Sequence, residues 1–279
     1  MRLRKFLFVF VFFLLFFFAA INLNLIPENI MGNANIARLR KSADSEISLL
    51  KNRYDLSFKL SKTAPGNTNV YTPGYSPADY ETADYFAKIF NIDNFCELDD
   101  FYLYIDNNRR LLINKYTSML EYHETYPQDE ENPGTQITAQ EASGIATRFF
   151  EEHLLFVNYE ETKVDFENGL YTVYLIERLG NLKNYGFISH AVIDMYGRVI
   201  HAKYYFINYE LIQTCKVKSM YDAYLALPLD FDDDFVVDLK KAQIVYIYED
   251  SILQPAFLFE GEIPGDMLFE CFVNAAVYR

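Results

Sequence analysis

The chain has 279 residues, half of them apolar and 17% aromatic, and carries a formal charge of −14. That much apolar material supplies a sizeable core and excludes disorder over most of the length. The acidity repels nucleic acid phosphate and excludes DNA or RNA as a partner.

The first element is an apolar run from Phe6 to Ile21 with eight Phe, preceded by Arg2, Arg4 and Lys5. Extended through Ile26 to the break at Pro27, it is long enough for a transmembrane helix of ~31 Å, about the thickness of the hydrocarbon core. The positive cluster places the N-terminus in the cytoplasm and all that follows outside it, at the cell membrane. A cleaved signal peptide is the rival reading, but cuts after Ala19 or Ala20 would put Phe17 or Phe18 at the position that needs a small residue. Gly32-Asn33-Ala34 fits that pattern further on.

Next, Ile36, Leu39, Ala43, Ile47 and Leu50 recur at helical spacing and predict an amphipathic helix over about 34–51. Tyr54 to Leu60 alternates as a half-buried strand does, and Ser61 to Tyr75, rich in Pro, Gly, Asn and Thr, reads as a loop. Three helix starts follow. They are Ser76-Pro77-Ala78-Asp79, the capping box Thr138-Ala139-Gln140-Glu141, and Ser219-Met220-Tyr221-Asp222.

Strand signals come after each start. The first set covers 101–105 and 111–116, and the second covers 163–166, 170–176, 188–194 and 199–209, with Asn168-Gly169 as a hairpin turn. The third covers 236–248, 255–260 and 268–277. The fold class this implies is α+β: an N-terminal transmembrane helix, then repeated modules of one helix packed on an antiparallel β-meander. The expected divisions are a tip and anchor at 1–29, a first module at 30–126, an acidic linker at 127–133, and two modules at 134–279.

No motif carries recognisable chemistry, and the expectation is of no enzyme, no catalytic residue, no cofactor and no metal. His123, His153, His190 and His201 do not pair at helical spacing. His190 and His201 fall in separate predicted strands that a hairpin could bring together, but without carboxylate or thiol partners they read as polar surface or satisfied core groups. The acidic runs Asp99-Asp100, Asp129-Glu130-Glu131 and Asp230-Phe231-Asp232-Asp233-Asp234 lack the glycine turn and distal Glu of a calcium loop and read as solvated. Cys96, Cys215 and Cys271 show no metal or disulfide spacing and read as core thiols. No Gly-x-Ser-x-Gly elbow or glycine-rich phosphate loop is present.

The helix opening at Ile137-Thr138-Ala139-Gln140-Glu141-Ala142, followed by the strand pair Ile188 to Asp194 and Arg198 to Tyr209, resembles the PepSY-like module. Lys216 to Tyr224, Gln254-Pro255-Ala256-Phe257 and Phe272-Val273-Asn274-Ala275 resemble motifs of the YycI/YycH-type proteins, with Phe257 where a Trp is often found. Those are bitopic bacterial regulators whose extracytoplasmic region restrains a sensor histidine kinase of a two-component system. The resemblance implies an interaction protein whose partners are the membrane and such a kinase or a second membrane regulator. Two other roles are compatible with it: an inhibitor or chaperone of an extracellular peptidase, and a cell-surface ligand-binding protein.

Overall fold

A computed structural model of the chain describes residues 49–50, 53–117, 119–126, 135–155, 158–228, 236–265 and 267–278. The chain divides into two compact units, one of residues 1–55 with 228–236 and the other of 56–227 with 237–279. The expected transmembrane helix, nearly all of the expected helix over 34–51, the linker at 127–133 and the acidic run from Asp230 to Asp234 lie outside the described residues. Among those described, no helix is long and apolar enough to cross a membrane. Within the smaller unit the Tyr54 hydroxyl donates to the Pro228 carbonyl at 2.7 Å.

The elements in chain order are β1 (Tyr54–Leu56), β2 (Gly66–Tyr75), α1 (Tyr80–Phe90), β3 (Asn94–Glu97), β4 (Phe101–Asp106), β5 (Arg109–Asn114) and β6 (Met119–Glu124). Then come α2 (Ala139–Glu152), β7 (Tyr159–Glu167), β8 (Leu170–Leu179), β9 (Leu182–Asp194), β10 (Val199–Tyr205) and β11 (Ile207–Val217). The last are α3 (Met220–Tyr224), β12 (Val237–Glu249), β13 (Ile252–Ile263), β14 (Met267–Asn274) and β15 (Ala276–Val277).

Strand dominates, and this overturns the α+β expectation of repeated modules of one helix packed on an antiparallel meander. The larger unit holds one mixed sheet in the order β15-β11-β2-β13-β12-β9-β10-β6-β5-β4-β3, with β14 beside β13, and with β7 and β8 continuing from β9. The physical reason lies in the strand edges. A meander ending at β6 would leave a row of unpaired N–H and C=O groups, and β10 satisfies them instead, in antiparallel register from His201 opposite His123 to Tyr205 opposite Met119. The sheet is mixed because β12 runs parallel to β9, with Val245 opposite Lys183.

Helices α1 and α2 cover a common core rather than one sheet each. Ala83, Phe86, Ala87 and Phe90 of α1 and Ala142, Ala146 and Phe150 of α2 join Tyr104, Leu111, Leu120, Tyr122, Val173, Ala191, Ala202 and Tyr204 in one buried cluster. The two helices are about three to four turns long and amphipathic, so their stability comes from this shared burial.

The caps differ in how well the sequence announces them. Helix α2 starts as predicted: the Glu141 N–H donates to Thr138 Oγ1 at 3.3 Å, and the Thr138 N–H donates to Glu141 Oε2 at 2.7 Å. Substituting Thr138→Ala is expected to lower stability by about 1 kcal/mol, read as a shift of the urea unfolding midpoint. Helix α1 starts three residues later than Ser76, because Asp79 is the residue whose carboxylate accepts the Thr82 N–H, at 2.8 Å. Ser219 caps α3 by accepting the Asp222 N–H at 3.1 Å.

The stretch read as a loop is in large part strand β2. It pairs with β11 from Gly66 opposite Val217 to Tyr75 opposite Ile207. Pro73 is tolerated there because β13 meets β2 only where Leu253 lies opposite Tyr71, so the missing N–H breaks no ladder on that side.

One half-buried carboxylate gives a pH signature. Glu177 of β8 lies opposite Asn184 of β9, and removal from water pushes its carboxyl above the usual range. Such a group favours the folded state below its unfolded-state pKa, and that contribution is lost as pH rises through the folded value. Glu177→Gln is therefore expected to raise stability at pH 7 relative to the parent and to flatten the fall in unfolding midpoint between acid and neutral pH.

Candidate functional site

Strands β6, β10 and β9 lie side by side, and their register decides which side chains share a face. His201 stands opposite His123 and Lys203 opposite Glu121 across β10 and β6. Lys203 also stands opposite His190 across β10 and β9. Directly paired residues point to the same side of a sheet, so Glu121, His123, His190, His201 and Lys203 form one polar group. Their neighbours in sequence, Leu120, Tyr122, Ala191 and Ala202, point the other way into the core beneath the helices.

The group is tight. The imidazole rings of His123 and His201 are 4.4 Å apart between centroids, and that of His190 is 5.5 Å from His201. His201 Nε2 lies 3.6 Å from Glu121 Oε1, and Lys203 Nζ lies 3.8 Å from the same oxygen. His201 Nε2 is shielded from solvent and makes no hydrogen bond. Burial pushes all three imidazoles below their usual range, with the charge of Arg110 adding to the effect at His123 and that of His123 adding at His201. Burial therefore favours the neutral form of each imidazole, which carries a nitrogen lone pair. One ligand atom from each of Glu121, His123 and His201 lies within 4.8 Å of the others, so among the described residues these three could hold a metal.

This corrects the expectation that the strand histidines lack a carboxylate partner. Glu121 supplies the carboxylate. It lies on β6, a strand outside the predicted set, although Met119-Leu120-Glu121-Tyr122-His123-Glu124 places apolar Leu120 and Tyr122 at alternate positions. The pairing of His123 with His201 across 78 residues leaves no local trace.

The remaining sequence candidates are dispersed. His153 stacks on Phe90 at 4.1 Å, and its Nδ1 is 2.7 Å from the Phe149 carbonyl at the end of α2, which makes it a packing residue. Cys215 is a buried thiol as expected, while Cys271 is half-buried and Cys96 is exposed. Asp99 and Asp100 lie exposed in a bend.

A second feature is apolar. A recess of about 530 Å³ lies beside α1, with Pro77, Tyr85, Phe86, Ile113, Met119 and Phe206 in its walls. That size suits a buried anchor side chain or a small ligand. Tyr85 is 53% exposed, and Tyr80 at 49% and Phe95 at 40% stand against each other with rings 5.1 Å apart.

No family model matches the chain, and no curated protein does. Among solved structures, the Bacillus megaterium YpeB C-terminal domain is similar with a TM-score of 0.42 and 15% identity, over 72% of this chain and 94% of that one. At that score and identity no role passes from that domain to any residue here.

Proposed function

We propose that the protein is a regulatory interaction module that works outside the cytoplasm, held at the outer face of the cell membrane by its apolar residues 6–26. Its partner is the extracytoplasmic part of a sensor histidine kinase of a two-component system, or a second membrane regulator. The observation that carries the reading is the apolar recess beside α1 with Tyr85 half in and half out of it. Large aromatic side chains left open beside an apolar hollow are the chemistry of a protein-binding surface, where Tyr anchors contribute most of the affinity. The charge pattern around residues 2–26 and the resemblance of Lys216 to Tyr224 and Phe272 to Ala275 to YycI/YycH-type motifs support the location and the kind of partner.

The test is co-purification of the tagged full chain from solubilised membranes, with recovered proteins identified by mass spectrometry. The expected result is a sensor kinase or membrane regulator, recovered at least about tenfold less with Tyr85→Ser, the loss that follows removal of an interface anchor. Recovery of no membrane protein, or equal recovery by Tyr85→Ser, contradicts the proposal.

A further inference from the structure

We propose that Glu121, His123 and His201 bind a divalent zinc ion on the face of the sheet opposite the helices. Two imidazoles and one carboxylate form a donor set that zinc accepts, leaving a fourth position for water or for a group from a partner. A tetrahedral site with bonds of ~2.0–2.1 Å sets its donors ~3.4 Å apart. Glu121 Oε1 and His201 Nε2 already stand at 3.6 Å, and all three donors fall within 4.8 Å. Rotation about side-chain torsions closes the remainder, because the strand register already holds the three residues side by side.

Two further observations point to an ion. His201 Nε2 is a polar atom shielded from water that makes no hydrogen bond, and it is turned toward Glu121. A buried polar atom left without a partner costs free energy, and a bound cation facing Nε2 in its deprotonated form removes that cost. An approach also exists, since a recess of about 540 Å³ bounded by Ile105, Arg110, Thr125 and Tyr126 reaches His123.

Two cations oppose the ion. Lys203 lies 3.8 Å from Glu121 Oε1, and Arg110 is paired opposite His123. Zinc must take the carboxylate from Lys203, so the affinity is limited by that competition and rises when the lysine is neutralised. A merely structural role for the histidines does not make this prediction.

The test is calorimetric titration of the metal-stripped full chain with zinc chloride. One equivalent is expected to bind. Glu121→Gln and His201→Ala should each weaken binding by at least about 100-fold, the upper end of what losing a mere supporting partner costs. Lys203→Gln should tighten it several-fold. Circular dichroism of each metal-free variant reports folding, and Glu121→Gln, a near-isosteric change on a half-buried side chain, keeps the test alive should His201→Ala unfold. Absence of zinc binding, or binding that Glu121→Gln and Lys203→Gln leave unchanged because it resides in the acidic runs, overturns the proposal.

Discussion

Gly261→Ala is expected to destabilise the protein by about 3 kcal/mol, the upper end of the range for forcing extra atoms into a packed region. Gly261 lies in β13 opposite Leu239 of β12, beside a register shift between Leu239 and Lys241. A Cβ there would sit 2.5 Å from the Asp238 carbonyl oxygen and 3.0 Å from Leu239 Cα. Both obstacles are backbone, so no side chain can swing aside. The glycine is what lets two strands approach at the irregularity. Gly144 on the exposed side of α2 is the control: nothing lies within 4 Å of its added Cβ. Gly144→Ala should therefore stabilise by roughly 0.5–1 kcal/mol through helix propensity. Urea unfolding followed by circular dichroism measures both, and a Gly261→Ala midpoint equal to that of the parent contradicts the close approach.

The second large effect is expected at Phe150, where truncation to Ala should cost about 4 kcal/mol. Phe150 is 2% exposed and lies where α2 meets the sheet, its ring 6.2 Å from Tyr204 of β10 and 5.8 Å from Phe149. Removing the ring takes away its transfer free energy and leaves a cavity that Ala146, Leu155 and Leu175, all buried in the same cluster, cannot fill without moving backbone. Leu268→Ala, at a position 72% exposed, should change stability by under about 0.5 kcal/mol. Equal losses at the two positions would mean that α2 is not seated on the sheet as described.

What the sequence discloses is local. The Thr138 and Glu141 capping box and the Asn168-Gly169 turn, whose φ values of 53° and 80° suit a two-residue hairpin, rest on contacts between residues a few positions apart. The sheet as a whole rests on distant pairings. Helix-plus-meander modules are the simplest way to hide one helical face, but β6 and β10 join what the composition suggests are separate units. Strand β2 escaped because Gly, Asn, Thr and Pro describe a loop when read alone, and only β11 supplies the ladder that makes it a strand. The predicted strand over 199–209 breaks into β10 and β11 at Phe206, which packs on Phe86 of α1 at 5.0 Å, and no periodicity marks that division. Half of the histidine cluster is legible in the sequence: His190 and His201 fall on predicted strands that can meet, while Glu121 and His123 join them only through β6, whose pairing with β10 is distant in sequence.

The proposed role requires the sheet to stand outside the cytoplasm, and Cys96 offers a direct measure. It is an exposed thiol on β3, whereas Cys215 is buried. Treating intact cells that express the full chain with a membrane-impermeant maleimide should label the protein, and Cys96→Ser should remove most of that label. Labelling that appears only after the cells are lysed would place the sheet in the cytoplasm and contradict the account.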